Sequence, residues 1–448
     1  MRMVSTKVIL DKQRFISLAA LFVLPFQGSP IVNCNLLDIQ GLKPFTILAV
    51  AALAGELSRQ KPWRFQDVTE RGALLWYLAY VCVFLVVFAR SIPHLPIFHA
   101  LFPSQFRDSR VSYFLSFFLR PALSTCLFPL IIRQFQTEDE VHLVRRTISI
   151  SMAVLSASVL AIILSTPDIY LGGRRHMAVT FQHHLGLHYN SLGTIYIVTG
   201  PLLFCSALED RMFPKLNAMA AAIVIATIQS RSALVIFWVE SLVLLLVLRK
   251  GFAVVAINLV ATGLFHLWSA PSVTAIRAVG WSHDTLNPDD ILSGRLRFLW
   301  LPLLSEWIAN PARLLWGAGR YGILVSAHFT TGSILRVTHA HNAFVDLFLD
   351  TGVIGVIVAV VVLAAGLSRA WRTGRSIRDP LFWTLAVCLC GYLAGTLTER
   401  GFFPSYDNLL LFPVLALLVN VARRRTRAIG EPASHFPAGA QSRRATAP

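Results

Sequence analysis

The sequence predicts an all-α polytopic membrane protein. Of its 448 residues, 55% are hydrophobic and only 14% are charged, and the mean hydropathy is +0.62. The apolar residues gather into runs of about 17 to 25, the length an α-helix needs to cross roughly 30 Å of hydrocarbon. This composition excludes a soluble enzyme, a disordered chain and a disulfide scaffold. Runs such as Ala343 to Leu367 do not alternate, which excludes a transmembrane β-barrel.

Apolar runs separated by polar breaks predict about twelve transmembrane helices. In chain order the runs are Phe15 to Phe26, Phe45 to Leu57, Ala73 to Ala89, Val111 to Ile132, Ile148 to Leu164, Ser191 to Leu208, Leu216 to Ile228, Ala233 to Leu248, Phe252 to Trp268, Ala343 to Leu367, Leu381 to Leu397 and Leu409 to Val421. The organisation expected is therefore helices 1 to 9 in residues 1–269, a large loop in 270–341, helices 10 to 12 in 342–422, and a tail in 423–448.

The basic residues predict the orientation of these helices. An even number of spans puts both termini on one side, and the short loops on that side hold most of the Lys and Arg, which marks it as cytoplasmic. Arg423, Arg424, Arg425 and Arg427 directly follow the last span, where we expect them to meet anionic lipid head groups. The Pro-, Ala- and Ser-rich end of the basic tail is predicted to be disordered.

The loop 270–341, on the opposite, non-cytoplasmic face, is the only large extramembrane segment, and loops of about 70 residues are usually functional. It contains an apolar stripe with helical spacing: Trp300, Leu303, Leu304, Trp307 and Ile308. The spacing predicts a helix lying against the membrane surface. Arg295 and Arg297, at its start, either anchor it to lipid phosphates or bind an anionic substrate.

A glycine-rich segment, Leu315 to Gly322, follows this helix and formally contains G-x-G-x-x-G. No hydrophobic strand precedes it, so a dinucleotide site is rejected and a tight turn is expected. Arg320 lies within the turn, and backbone amides beside a guanidinium suit an anionic group.

Imidazoles and carboxylates meet where the loop ends. His339 and His341 precede the tenth apolar run, and Asn342, Asp346 and Asp350 recur every fourth residue, so they share one face of the emerging helix. Acids in the first turns of a helix favour its dipole without any further role. The alternative is a general base with carboxylates beside it.

Two other polar features carry weaker hypotheses. His184 and His188 have metal-compatible spacing, but no nearby acid or cysteine completes a site, so no metal site is predicted. Glu240 lies near the middle of the eighth run, where a charge is costly, and either pairs with Arg120 or is protonated.

Several patches resemble the bacterial O-antigen ligases and the related Wzy-type polysaccharide polymerases. They are Ser230-Arg231-Ser232, Ser293-Gly294-Arg295, Pro311 through Gly322, His341-Asn342 and Asp350-Thr351-Gly352, with Arg175 and His188 to Gly193 similar to an earlier patch of the family. Tyr189 replaces the family's usual proline, and Asp350 stands where Glu is more common. The resemblance covers roughly the second half of the chain, from Arg174 on.

This resemblance implies a metal-independent, inverting glycosyltransferase of the inner membrane, without a cofactor. It would transfer a glycan from an undecaprenyl diphosphate carrier to lipid A-core at the periplasmic face. The resemblance implies that His341 is the base or positions the acceptor, with His339 as the fallback and Asp350 as a third catalytic candidate. The implied diphosphate ligands are Arg231 and Arg295, assisted by Arg175, Arg297 and Arg320, because guanidinium bonds phosphate oxygens bidentately.

The sequence is also compatible with other functions. A Wzy-type O-antigen or exopolysaccharide polymerase needs the same donor machinery, and so does an oligosaccharyltransferase of the same superfamily, although no added C-terminal domain is visible. A proton-coupled membrane transporter would instead use Glu240, Arg120 and His266 as its relay. The large basic loop and the lack of paired half-helices count against transport.

Overall fold

The computed structural model describes residues 11–34, 43–58, 68–103, 105–166, 168–170, 173–209, 211–228, 230–248, 295–334, 337–376, 379–398, 401–405 and 408–430, with a few positions between 252 and 263. Within these residues every regular element is helical and no strand occurs, so the all-α prediction is confirmed. The described residues do not include most of the ninth predicted span with His266, the loop residues 270–294 or the tail 431–448.

The α-helices are, in chain order, α1 (Lys12–Val23), α2 (Pro44–Ser58), α3 (Val68–Ser91), α4 (Leu95–Leu101), α5 (Arg110–Phe114), α6 (Arg120–Thr125), α7 (Leu127–Gln134), α8 (Glu138–Ser165), α9 (Gly173–Leu185), α10 (Tyr189–Ala207), α11 (Met212–Thr227), α12 (Arg231–Leu248), α13 (Leu301–Ala309), α14 (Pro311–Trp316), α15 (Ala327–Thr330), α16 (Ala343–Ser376), α17 (Pro380–Gly395) and α18 (Leu411–Gly430).

Several of these helices suit a lipid bilayer. The segments long and apolar enough to cross a membrane are Thr69–Leu101, Arg110–Gln134, Glu138–Ser165 and Ala343–Gly366. Shorter apolar helices are Pro44–Ser58, Met212–Thr227, Ser232–Leu248 and Pro380–Gly395. The protein is therefore a helical membrane protein in its coarse features, whereas the count of about twelve spans stays a prediction.

Pro121 does not end the helical segment in which it lies. A π turn, Leu115–Leu119, joins α5 to α6 directly before the proline, and the backbone N–H of Arg120 donates to the Leu115 carbonyl. A proline lacks an N–H group and its ring clashes with the carbonyl four residues earlier. The wider π turn changes that spacing, so the segment continues across the proline.

Helices α12 and α17 pack as antiparallel neighbours, and Glu240 lies at their contact. A Cβ built on Gly391 would lie 1.7 Å from Glu240 Oε1, and one built on Gly395 would lie 3.8 Å from Ile236 Cδ1. Neither carboxyl oxygen of Glu240 has a hydrogen-bond partner among the described residues. Arg120 does not pair with it, since its guanidinium donates to Gln27 O and to an Asn33 oxygen, both at 2.8 Å.

The basic residues after the last apolar run are not all at the lipid surface. The Arg423 guanidinium lies 2.8 Å from the Glu70 carboxylate, and each side chain is 3% exposed. The expectation that Arg423 meets lipid head groups is therefore wrong. Arg423 lies within α18, which continues past the apolar run to Gly430. At this position it packs against the start of α3, where Glu70 neutralises its charge.

The π turn Leu296–Trp300, α13 and α14 form the segment that we call the 296–316 hairpin. Leu303 and Trp307 are fully buried in an apolar cluster with Phe88, Tyr113 and Leu349. The predicted apolar stripe thus packs mainly into the protein, so the expectation that this stripe is the face toward the membrane is wrong. Only Ile308, which is 62% exposed, departs from this arrangement.

Candidate functional site

The turn at residues 396–398, which follows α17, brings Arg295 and the His341-Asn342 segment to one place. Arg295 Nη1 donates to the Thr398 carbonyl at 3.0 Å. Asn342 Nδ2 donates to Leu397 O at 3.0 Å, and the Ala343 N–H donates to Thr396 O at 2.8 Å. Two groups that are distant in sequence are therefore bound to consecutive carbonyls of one short turn.

The peptide before His341 is held at both ends. Trp300 Nε1 donates to the Ala340 carbonyl at 2.7 Å, and the Ala340 N–H donates to Asp346 Oδ1, also at 2.7 Å. Ala340 itself is fully buried. Hydrogen bonds with little access to water are strong and directional, so this clamp on Ala340 fixes the position of the backbone that leads into His341.

The backbone of His341 adopts the left-handed conformation, with φ of 54°. Non-glycine residues seldom adopt it, and it costs of the order of 1–3 kcal/mol where it occurs, so the surrounding structure must impose it. The half-buried rings of His339 and His341 lie 4.0 Å apart between centroids, and the His341 N–H donates to His339 Nδ1 at 3.3 Å. The two candidate bases are thus neighbours in space.

The glycine-rich segment forms a tight turn that crosses α16 at a break in that helix, as its sequence predicts. Gly352 has φ of 70° and ψ of −170°, which interrupts α16. A Cβ on Gly352 would lie 2.4 Å from the Leu315 carbonyl carbon, and one on Gly317 would lie 2.4 Å from the Thr351 nitrogen. The two backbones therefore touch where each has a glycine, and no larger residue fits at either position.

The anionic group that binds in this turn is the carboxylate of Asp350. Arg320 Nη1 lies 3.0 Å from Asp350 Oδ2, and the Gly322 N–H donates to Oδ1 at 2.8 Å. The Arg320 guanidinium also stacks on Tyr321, at 4.6 Å, and on Phe403, at 5.3 Å. Arg320 and Asp350 thereby hold the turn against the helix, while their assignment to a diphosphate and to catalysis stays a prediction.

A second carboxylate, Glu306, joins α13 to the residues that follow α14. It accepts hydrogen bonds from Ser326 Oγ and from the Ala327 N–H, and it lies 2.6 Å from Arg313 Nη1. Burial acts to raise the pKa of Glu306, but these hydrogen bonds and the Arg313 charge together hold it below its usual range. Glu306 is therefore ionised and fixed at ordinary pH.

Arg231 begins α12 at the same end of the bundle as the 396–398 turn. Ile236, five residues later, lies level with Gly395 of α17, so the start of α12 extends about 7 Å further toward the turn. A Cβ on Gly193 would lie 3.2 Å from Ser230 Oγ, so the two family-like patches of α10 and α12 also meet. The side chain of Arg231 lies outside the described residues.

The remaining candidate arginines are less closely tied to this place. Arg175 lies within α9, and its side chain is outside the described residues. Arg297 is exposed, with its guanidinium 5.6 Å from the ring of Phe298. In the part of the chain that the structure describes, no three His, Cys, Asp or Glu side chains converge to hold a metal ion.

Sequence reasoning missed the 396–398 turn altogether. One signal was available, because the predicted topology puts the loop after the eleventh run on the same face as the long basic loop. The clamp residues Trp300 and Asp346 were noted only as part of an apolar stripe and a helix face. A comparison with protein-family models finds no match to this chain, and a comparison with curated proteins finds no similar sequence.

Proposed function

We propose that this chain is an O-antigen ligase-like membrane glycosyltransferase, which moves a glycan from an undecaprenyl diphosphate carrier to lipid A-core. The reaction would take place at the periplasmic face of the bacterial inner membrane, with both termini in the cytoplasm. The proposal rests on the resemblance described above and on one observation, the convergence of Arg295 and His341-Asn342 on the 396–398 turn.

The proposed reaction is a single displacement that inverts the anomeric carbon. The acceptor hydroxyl oxygen bonds to that carbon while the bond from carbon to diphosphate oxygen breaks, and the electron pair leaves with the diphosphate. His341 takes the hydroxyl proton, since an imidazole suits general base catalysis near neutral pH. Arg295 stabilises the charge that develops on the leaving diphosphate.

Arg295 is suited to this task because a guanidinium carries five N–H donors. One of them bonds to Thr398 O, which fixes the group in position. Other donors of the same planar fork are then available for phosphate oxygens. Arg231 would add a second guanidinium from the start of α12, which matches the charge of a diphosphate better than one cation does.

Replacement of His341 by Ala tests the base. We expect this variant to insert normally and to fail in glycan transfer when it is the only copy in the host. His328→Ala is the matched control, because this histidine lies in the same loop and its Nδ1 lies 3.1 Å from Ser333 Oγ, away from the 396–398 turn. Normal surface polysaccharide in the His341→Ala variant would overturn the assignment.

Replacement of Arg295 by Lys tests the leaving-group role. Lysine keeps the charge but loses the planar fork, so we expect transfer to fall by about 10² to 10³. Arg110→Ala, an exposed arginine on the same predicted face, is the control. Unchanged transfer by Arg295→Lys would argue against bidentate binding.

Deletion of the gene separates ligase from polymerase. A ligase predicts lipopolysaccharide that stops at lipid A-core while long carrier-linked polymer accumulates. The alternative, a Wzy-type polymerase that uses the same donor, predicts core with a single repeat. An unchanged ladder would favour exopolysaccharide synthesis or transport. The proton-coupled transporter is supported less, because Arg120 bonds to Gln27 and Asn33 and not to Glu240.

A further inference from the structure

The 296–316 hairpin presents a second apolar face, opposite the one that packs on α16. Phe298, Leu301 and Ile308 are 56%, 54% and 62% exposed, and their spacing puts them on one stripe of the helix. Leu315 and Trp316 of α14 are also about half exposed. Exposed apolar patches of this kind usually mark a site that contacts a membrane, a protein or a ligand.

Two of the three charged side chains of the hairpin, Glu306 and Arg313, neutralise each other, and the third, Arg297, is exposed in the π turn at its start. Glu306 pairs with Arg313 and accepts hydrogen bonds from Ser326 and Ala327. The Arg313 guanidinium also covers the ring of Trp307, at 5.0 Å from its centroid. A segment that stood in water would gain little from neutralising its own ions, whereas one in contact with hydrocarbon must do so.

The position of the hairpin along α16 indicates where this face lies. The backbone at Leu315 and Trp316 touches α16 at Gly352. The apolar segment of α16 runs from Ala343 to Gly366, so Gly352 lies up to about 13 Å inside its end. Directly beyond this crossing, Ile354, Ile357 and Val358 of α16 expose their side chains as a lipid-facing helix does.

We infer that the stripe Phe298, Leu301 and Ile308, with Leu315 and Trp316, contacts lipid acyl chains, so that the 296–316 hairpin is embedded in one leaflet beside α16. The exposed face of the hairpin and that of α16 then form one surface toward the bilayer. An indole at this level is favoured, since Trp is enriched where membrane meets water. The inference rests on the bilayer environment of the chain and not on glycan transfer.

Nitroxide accessibility in the full-length protein tests the inference. With the six native cysteines replaced by Ala, single variants Leu301→Cys, Ile308→Cys and Trp316→Cys are spin-labelled and placed in nanodiscs of phosphatidylcholine and phosphatidylglycerol. Val358→Cys on α16 is the lipid reference. Glu138→Cys is the water reference, because the Glu138 side chain at the start of α8 is 78% exposed.

The labels at 301, 308 and 316 should collide more often with oxygen than with a water-soluble nickel complex, as the label at 358 does. A preference for nickel, as at 138, would overturn the inference. Low collision rates with both reagents would also overturn it, since they would indicate that a second copy covers the face. Where a cysteine variant does not fold, brominated-lipid quenching of the chain with native cysteines against Trp316→Phe gives the same distinction.

Discussion

Replacing Asp350 by Asn should destabilise the protein by about 3 to 5 kcal/mol, because the substitution leaves a buried cation without its carboxylate. Asp350 is 2% exposed, and the Arg320 side chain is 14% exposed. The substitution removes the ion pair with Arg320, whose Nη1 lies 3.0 Å from Asp350 Oδ2. It also replaces the charged acceptor of the Gly322 N–H by a neutral one. The rings of Tyr321 and Phe403 still hold the guanidinium, which favours the lower end of this range.

The assay is SDS-induced unfolding in mixed micelles, followed by circular dichroism. A double-mutant cycle with Arg320→Met should give a coupling of about 2 kcal/mol or more, since removing both charges costs less than the sum of the single losses. The control is Glu209→Gln, which breaks an Arg145 pair whose glutamate is 37% exposed and should cost below about 1 kcal/mol. Coupling near zero would refute the pairing, and loss of transfer with unchanged stability in Arg320→Met would favour diphosphate binding by that arginine.

Three further outcomes are expected. Trp300→Phe removes the donor to Ala340 O, so kcat for glycan transfer should fall with little change in KM, and stability should drop by about 1 kcal/mol. Gly391→Ala puts a Cβ 1.7 Å from Glu240 Oε1 and should cost about 1 to 3 kcal/mol in the same unfolding assay. The pKa of Glu306 is lowered from 4.5 in the folded protein, so its ionised form stabilises the fold above pH 4.5. This contribution disappears as the pH falls through the folded pKa. The Tm of Glu306→Gln should therefore change less with pH than the Tm of the wild type.

Each of these outcomes has its own check. Trp316→Phe makes the same substitution at an exposed ring, and an equal loss of kcat there would contradict the clamp. In a Glu240→Ala background the Gly391→Ala penalty should disappear; a persistent penalty would show that the contact with Glu240 is not its cause. A wild-type and Glu306→Gln difference in Tm that does not change below pH 4.5 would contradict the lowered pKa of Glu306.

Local pattern predicted the helical parts of the site well. The tenth apolar run was expected to begin at Ala343, where α16 begins. Asn342, Asp346 and Asp350 were expected to share a helix face. Asn342 caps α16 by accepting from the Phe344 N–H, Asp346 binds Ala340 before the helix, and Asp350 binds Gly322 of the turn that crosses it. Helical periodicity is a property of neighbouring residues, so one sequence suffices to read it.

The tertiary contacts of the site could not be predicted from local sequence pattern. The partner of Arg320 lies 30 residues away and that of Arg295 lies 103 residues away, and nothing in either neighbourhood specifies the other. The prediction of which face of the 296–316 hairpin is buried was wrong for a different reason. Phe298 and Leu301 are as apolar as Leu303 and Trp307, so the periodicity marks two apolar faces and does not say which one the protein covers.

The wide separation of the site's parts along the chain sets an order for its assembly. The turn near Arg320 is bound to α3, through the Arg320 N–H and Val87 O at 3.0 Å, while Arg295 is bound to Thr398. A nascent chain that has emerged only as far as α16 already carries every candidate histidine and arginine, yet it has no 396–398 turn. Under the proposed function, such a chain would lack the contact that fixes Arg295, and we expect it to gain transfer activity only after α17 has entered the membrane.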